Sequence, residues 1–328
     1  MRRWRRDGTA RRARSRPDPE AIIWTENLTK RFGRLIAVEE LNLSIARGEI
    51  FGLIGPDGAG KTTTIRLLAA IMVPSSGQAA ITGFDTVRQA EKIRRIIGYM
   101  PQRFSLYGDL SVMENLSFFA DVFGVRGRER KERIDQLLQF ARLTEFRRRR
   151  AMHLSGGMQK KLALACTLIH RPQVLFLDEP TTGVDPISRR EFWGILSELH
   201  LEGVTLLVST PYMDEAERCG RVGLMFEGQL MVCDQPERIK ELVPGELLAL
   251  NTPQLARSRR LVSALPGVLE VQTYGDVLHV FVDSVEARRP EIEAKLADAQ
   301  VEVVTLRRTR PRMEEAFISL IRRRAGEA

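Results

Sequence analysis

The sequence predicts an α/β fold, with parallel strands alternating with helices, and three observations carry that prediction. First, Ile50-Phe-Gly-Leu-Ile54 is a short apolar run of strand length, residues 63–73 carry apolar positions at helical spacing, and a glycine-rich loop joins the two. Second, Val174-Leu-Phe-Leu177, 204–209 and Arg221–Phe226 are further apolar runs bounded by turn residues. Third, amphipathic segments separate these runs. Such an order places ligands at the carboxyl ends of the strands.

From the amino end, 21–44 alternates as strands, with Asn27-Leu-Thr-Lys and Leu41-Asn-Leu-Ser-Ile leading into the strand Ile50–Ile54. Segments 88–96, 112–123, 129–141 and 160–169 carry helical periodicity. Leu242-Val-Pro244-Gly245 is a turn and a natural linker. Beyond it, Glu246–Asn251 is predicted as a strand, 252–265 as a helix closed by Pro266-Gly267, and Val268–Tyr274 with 277–283 as a hairpin around Gly275-Asp276. A helix over 284–299, a strand over 301–307 and a helix over 313–323 complete the chain. Strand, helix, two strands, helix, strand is the ferredoxin-like α+β order, here with one added helix. His279 is the only histidine of that segment and lies in an alternating strand, which favours a structural role.

The loop Gly55-Pro-Asp-Gly-Ala-Gly-Lys61-Thr62 matches G-x-x-x-x-G-K-[ST] between a strand and a helix, the context that makes the pattern a phosphate site. Gly55, Gly58 and Gly60 let the backbone curl so that N–H groups face inward, and the helix that follows adds its positive end. Asp57, Ala59 and Thr63 fill the rest of the cradle. Lys61 is placed to reach β/γ-phosphate oxygens, and the Thr62 hydroxyl to bind Mg²⁺. The chain is therefore expected to bind a nucleotide.

Leu154-Ser155-Gly156-Gly157-Met158-Gln159 precedes a helical run, and Val174-Leu-Phe-Leu177 ends in Asp178-Glu179-Pro180. These segments are similar to the signature and Walker B motifs of ATP-binding cassette (ABC) ATPases, over roughly 22–243. Phe32 in Lys30-Arg-Phe-Gly33, Gln102 in Tyr99-Met-Pro-Gln102 and Asp185 in Gly183-Val-Asp-Pro186 match the family's adenine-stacking aromatic, Q-loop and D-loop. The resemblance implies a cassette over 21–243, a helical subdomain over about 103–170, and an accessory domain over 246–328. It implies ATP and Mg²⁺ as ligands, with Asp178, Thr62 and Gln102 toward the metal, Glu179 as the base for the attacking water, and Lys61 and Gln102 assisting. Ser155, Gly156 and Gly157 would close on the γ-phosphate of a second cassette. Phe32, taken alone, also fits a core position.

Arg310-Pro-Arg-Met-Glu-Glu-Ala-Phe317 resembles the end of ABC-2-type export ATPases of the daunorubicin and multidrug-resistance kind. That likeness implies a separate membrane permease as partner and a peripheral place on the cytoplasmic face of the cell membrane. One departure matters: Pro211, in Ser209-Thr-Pro211-Tyr, stands where the family places a switch histidine that positions the attacking water. Proline offers no polar side chain and no N–H. Slow intrinsic hydrolysis is expected, unless Glu179 and Gln102 suffice. Two other functions remain open: a weakly active module that regulates a partner cassette, and a non-transport ABC protein acting on ribosomes.

Composition narrows the partners. Residues 1–16 hold eight Arg and one Asp, about +7 of the formal net charge of +9, so about +2 remains for the rest of the 328 residues. A near-neutral body argues against nucleic acid as a partner. The stretch 1–20 lacks periodicity and is expected to be disordered, either as a solvated arm or as an Arg cluster drawn to anionic headgroups at about 1 kcal/mol per Arg. No apolar run approaches the ~20 residues of a membrane-spanning helix, no signal peptide is recognisable, and no covalent membrane anchor is expected. Cys166, Cys219 and Cys233 lack metal-binding spacing and fit buried thiols in a reducing compartment.

Overall fold

The computed structural model describes residues 21–103 and 106–325; the Arg-rich stretch 1–20, expected to be disordered, lies outside them. The chain forms two compact units. Among the described residues, one takes those up to Phe51 with Asp57–Ser209 and Glu227–Gln229, and the other takes Gly52–Pro56, Thr210–Phe226 and those from Leu230 onward.

In the first unit an antiparallel sheet runs in the order Leu35–Ala46, Ala21–Phe32, Ser76–Ile81, Phe84–Asp85. Beside it in sequence stands the parallel set Ile97–Met100, Val174–Asp178 and Thr205–Thr210. Val174–Asp178 is buried along its whole length, as a strand covered on both faces must be. The helical segment comprises Val112–Val122, Gly127–Phe140 and Gly156–Leu168. Val112, Leu116 and Ala120, spaced four apart, pack with Ile134, Leu138, Leu162 and Ile169 in one core. Ser111 and Glu114 form a reciprocal capping box that starts the first of these helices. Buried Asn115 fixes the preceding loop through bonds to the Tyr107, Leu110 and Ser111 carbonyls.

In the second unit the four strands Val268–Tyr274, Val277–Val282, Glu246–Asn251 and Thr305–Thr309 lie in that order, all antiparallel. This is the ferredoxin-like arrangement expected. Leu248, Leu250, Leu278 and Val280 pack with Ile292 and Leu296 of the helix Val285–Asp298. His279 points to the other face, where its Nδ1 meets Glu315 Oε1 at 2.7 Å on the helix Met313–Ala325. Phe317 of the same helix packs edge-to-face on Phe226, centroids 6.5 Å apart.

The helix expected over 160–169 begins earlier, at Gly156, because Ser155 caps it, and the helix expected over 252–265 is Leu255–Ser263. Two further elements moved for a shared reason. The helix expected over 63–73 is Lys61–Leu68, because Ala70 turns left-handed (φ 54°) and the Ile71 N–H bonds the Arg66 carbonyl. The strand expected over 301–307 is Thr305–Thr309, because Gln300 (φ 53°) and the Val301 N–H bonded to the Leu296 carbonyl finish the preceding helix in the same way. Neither stop carries the glycine that advertises such a cap. The strands Ser76–Ile81, Ile97–Met100 and Gln229–Asp234 and the helix Pro186–Leu201 were not anticipated. No helix among the described residues is long and apolar enough to cross a membrane.

Candidate functional site

Met100 lies level with Leu177, and Asp178 level with Ser209, across three parallel strands. Gln102 follows the first strand, Asp178 ends the second with Glu179 just beyond it, and Ser209 is near the end of the third. Their polar groups converge at the carboxyl edge, where the fold class places a ligand.

Asp178 Oδ1 accepts from Thr62 Oγ1 at 2.9 Å and from Ser209 Oγ at 2.8 Å. Its Oδ2 is buried with no hydrogen-bond partner among the described residues. Burial pushes the Asp178 carboxyl above the usual range; the bonds from Ser209 and Thr62 oppose the rise and the adjacent Glu179 charge adds to it. A buried carboxylate oxygen left open beside a hydroxyl suits a hard cation that keeps some of its water and takes further oxygens from phosphate. Thr62 and Asp178 therefore fit Mg²⁺. Gln102, expected near the metal, donates its amide nitrogen to Glu179.

Glu179 is nearly enclosed, and both its oxygens are engaged. Oε1 is 3.1 Å from Lys61 Nζ, while Oε2 accepts from Gln102 Nε2 at 2.9 Å and from Thr182 Oγ1 at 3.3 Å. The residue sits in the left-handed region (φ 48°), held there by its N–H, which bonds the Ser209 carbonyl at 3.1 Å and Oγ at 3.0 Å. A non-glycine residue in that region costs on the order of 1–3 kcal/mol and persists only where its surroundings fix it.

Gly58 and Gly60 also have positive φ, 81° and 101°. A Cβ at Gly58 would meet nothing among the described residues within 4 Å, so glycine serves the backbone turn there rather than close packing. Gly55 and Ala59 are buried, Thr63 is half-buried and Asp57 is exposed. The Ala59 carbonyl accepts from the Gly228 N–H at 3.1 Å, and Glu39 N–H bonds the Gly228 carbonyl at 2.8 Å, so a distant turn braces the loop. The helix Lys61–Leu68 has no side-chain cap hydrogen bond at its start, and the partial positive charge of a helix start suits an anion.

Ser155, Gly156, Gly157 and Asp185 form a second group, and Phe32 stands apart from it. Ser155 Oγ accepts from the Met158 N–H at 3.3 Å and caps the helix Gly156–Leu168, which keeps its own O–H free to donate. Gly156 is exposed, whereas a Cβ at Gly157 would lie 2.5 Å from Ser188, so the signature packs directly on the helix Pro186–Leu201. Asp185 caps that helix by accepting from the Ser188 N–H at 2.9 Å, and this bond holds its carboxyl below the usual range. Phe32 is 45% exposed, with the Lys30 ammonium 5.2 Å from its ring centroid. It is not a core residue; the Lys30 ammonium lies over one face of its ring, and a flat ligand would need the other face or would displace that side chain.

Ser209 and Thr182 contact the two carboxylates and were not among the expected site residues. Thr182 lies only three positions after Glu179, a spacing that brings it back to the carboxylate through a turn. Ser209 becomes visible only once strand register is known.

The family model described as ABC transporter matches residues 38–182. The probable multidrug ABC transporter ATP-binding protein YbhF of Escherichia coli K12 is 43% identical over 306 residues, 92% of this chain and 52% of that protein. The chain thus spans about half the length of that relative. The daunorubicin resistance ATP-binding protein DrrA2 of Streptomyces coeruleorubidus is 33% identical over 303 residues, 91% of this chain and 94% of that protein. Among solved structures, the ATP-binding cassette MJ0796 bound to ADP and Pi matches 65% of this chain and 98% of its own, with a TM-score of 0.60 and 27% identity. Clostridium perfringens cbiO1 matches 75% of this chain and 96% of its own, with a TM-score of 0.62 and 28% identity. The order of motifs, the convergence of the Lys61, Thr62, Asp178 and Glu179 side chains and these likenesses agree: the chain belongs to the ABC transporter family and is similar to its ATP-binding proteins.

Proposed function

We propose that this chain is the ATP-binding and ATP-hydrolysing subunit of an ABC-2-type exporter. It would act as a pair of cassettes, homodimeric or with a paralogue, on a separate membrane permease, peripheral to the cytoplasmic face of the cell membrane. The observation that carries the hydrolytic part is Glu179, an intact carboxylate base held between Lys61 and Gln102 beside the open oxygen of Asp178. Relatives named for multidrug transport, daunorubicin resistance and Nod factor export support the exporter part. A dimeric cassette with ADP and Pi, and a cassette that is part of the complex cbiONQ, support the paired and permease-bound parts.

The chain's own residues divide the work. The loop 55–60 and the uncapped helix start take the β-phosphate, and Phe32 takes the base on its exposed face. Lys61 leaves Glu179 for the β/γ oxygens, which frees Glu179 Oε1 to accept a proton from water while Gln102 and Thr182 hold Oε2. Thr62 and Asp178 would hold Mg²⁺, which would supply charge neutralisation on the phosphates. Ser155, with its free O–H, and the exposed Gly156 present the signature to the γ-phosphate of the second cassette.

Pro211 favours a second reading, a module with weak turnover that regulates a partner cassette. Loss of one positioned polar contact at the transition state costs about 10²–10³ in rate. Steady-state ATPase assays of the wild type and Pro211→His separate the two. Slow turnover that histidine raises supports the impaired switch; ordinary turnover with no gain rejects it. Co-purification with one membrane protein would support the exporter, and co-sedimentation with ribosomes would contradict it.

A further inference from the structure

Two adjacent lysines follow the signature, and they do different things. Lys161 reaches Glu191 on the helix Pro186–Leu201, an ion pair within the packing of two helices. Lys160 points toward the site: its Nζ donates to the Gln102 main-chain carbonyl at 3.0 Å. Gln102 in turn donates its side-chain amide to Glu179 Oε2 at 2.9 Å. Lys160, Gln102 and Glu179 therefore form one chain of contacts, from the first turns of the signature helix to the base.

The surroundings give that chain a purpose. Residues 101–106 have no regular secondary structure where they are described, so little regular backbone bonding fixes Gln102. A cavity of about 460 Å³ opens beside it, lined by Gln102, Arg103, Gln159, Lys160, Thr182 and Val184. Without a restraint, Gln102 has room to swing into this space and leave Glu179 Oε2 with Thr182 alone. Lys160 is half-buried along the cavity wall. Burial lowers its pKa, and the charges of Glu179 and Asp178 oppose that change, so its ammonium lies within the field of both carboxylates.

We propose that Lys160 is a positioning residue for hydrolysis: it ties the Gln102 backbone to the signature helix and so keeps the Gln102 amide on Glu179. The proposal rests on the hydrolytic reading above and extends it. Because Lys160 belongs to the signature helix, the orientation of the base becomes dependent on where that helix stands. A cationic donor with length to spare suits this task, since it can follow small displacements of the helix while keeping hold of one carbonyl. Gln159, its neighbour, is committed elsewhere, donating to the Ala151 carbonyl at 3.1 Å.

The test uses the full chain with Lys160→Met, Lys160→Arg, Gln102→Ala and the double variant Lys160→Met/Gln102→Ala. Hydrogen exchange of the nucleotide-free protein, read over the peptide 97–106, reports the tether without any turnover. Lys160→Met should speed exchange there, and Lys160→Arg should restore it. In ATPase assays Lys160→Met should lower kcat by about tenfold to a hundredfold, the scale of a misplaced catalytic group, with KM for ATP unchanged. In the Gln102→Ala background the same substitution should cost nothing further, because the route it acts through is gone. Unchanged exchange, a kcat equal to the wild type, or losses that multiply in the double variant would each overturn the proposal. A wild type that binds ATP but never turns it over would instead overturn the hydrolytic reading, and the exchange experiment alone would then decide the tether.

Discussion

Glu179 and Glu315 are both buried carboxylates facing a basic side chain, and the regions around them differ in what is left unsatisfied. Glu315 is 1% exposed, its Oε1 meets His279 Nδ1 at 2.7 Å and its Oε2 accepts from the Arg312 N–H. Tyr274 stacks on His279 with centroids 5.3 Å apart, and Arg312 covers the Tyr274 ring. Burial pushes the Glu315 carboxyl up, but the bonds from His279 and the Arg312 amide outweigh it and hold the group below the usual range. Both carboxylate oxygens of Glu315 and the Nδ1 of His279 are paired where helix meets sheet.

Around Glu179 the backbone is left-handed, the next-door Asp178 keeps an open oxygen, and the carboxyl of Asp178 is pushed up. A satisfied cluster stabilises the fold; an unsatisfied one costs stability and marks where a ligand completes the set. The difference lies in the accounting of partners, not in the identity of the residues.

The largest effects should come from breaking the unsatisfied region. Lys61→Ala should lower turnover by at least about 10²–10³ and weaken ATP binding, since it removes the charge aimed at the β/γ-phosphates. Titration with a fluorescent ATP analogue and an ATPase assay check both, while the melting temperature without nucleotide should fall because Glu179 loses its buried ion-pair partner.

Glu315→Gln probes the satisfied region. It should cost about 1–3 kcal/mol of stability at neutral pH, measured by denaturant unfolding, and leave ATP affinity unchanged. The pH dependence follows from the sign. A carboxyl held low in the folded state contributes stability above its unfolded pKa and loses it as pH falls through the lower folded value. Glu315→Gln should therefore flatten the acid limb of the stability profile.

Asp178→Asn should act the other way and more weakly. A carboxyl raised in the folded state favours folding at low pH, and that contribution disappears as pH rises through the folded value. At neutral pH the charged Asp178 is a burden on the nucleotide-free protein. The variant should gain about 0.5–2 kcal/mol without nucleotide and lose the stabilisation that MgATP confers. Equal stabilisation of both proteins by MgATP would break the comparison.

Legibility followed the same division. Lys61, Thr62, Asp178 and Glu179 were readable because phosphate chemistry demands particular residues at fixed short spacing, and the structure brings their side chains together. Ser209 bonds Asp178 from 31 positions away and Lys160 bonds the Gln102 carbonyl from 58, through strand register and helix orientation, which no local pattern encodes. The hairpin at Gly275-Asp276 announced itself by turn chemistry, and Val268–Tyr274 matched its expected bounds. Ala70 and Gln300, left-handed without being glycine, hid two helix ends. His279 was expected to be structural, but its partner, 36 residues further on, required the fold.

The central claim is that Glu179, released from Lys61 by nucleotide, is the base. Wild type and Glu179→Gln should be compared at saturating MgATP for bound nucleotide and single-turnover hydrolysis. The amide retains hydrogen bonding but accepts no proton. Binding should therefore persist, with the variant accumulating as an ATP-bound dimer on size-exclusion chromatography, while hydrolysis falls by about 10²–10⁴. Single-turnover hydrolysis in Glu179→Gln at the wild-type rate would contradict the account.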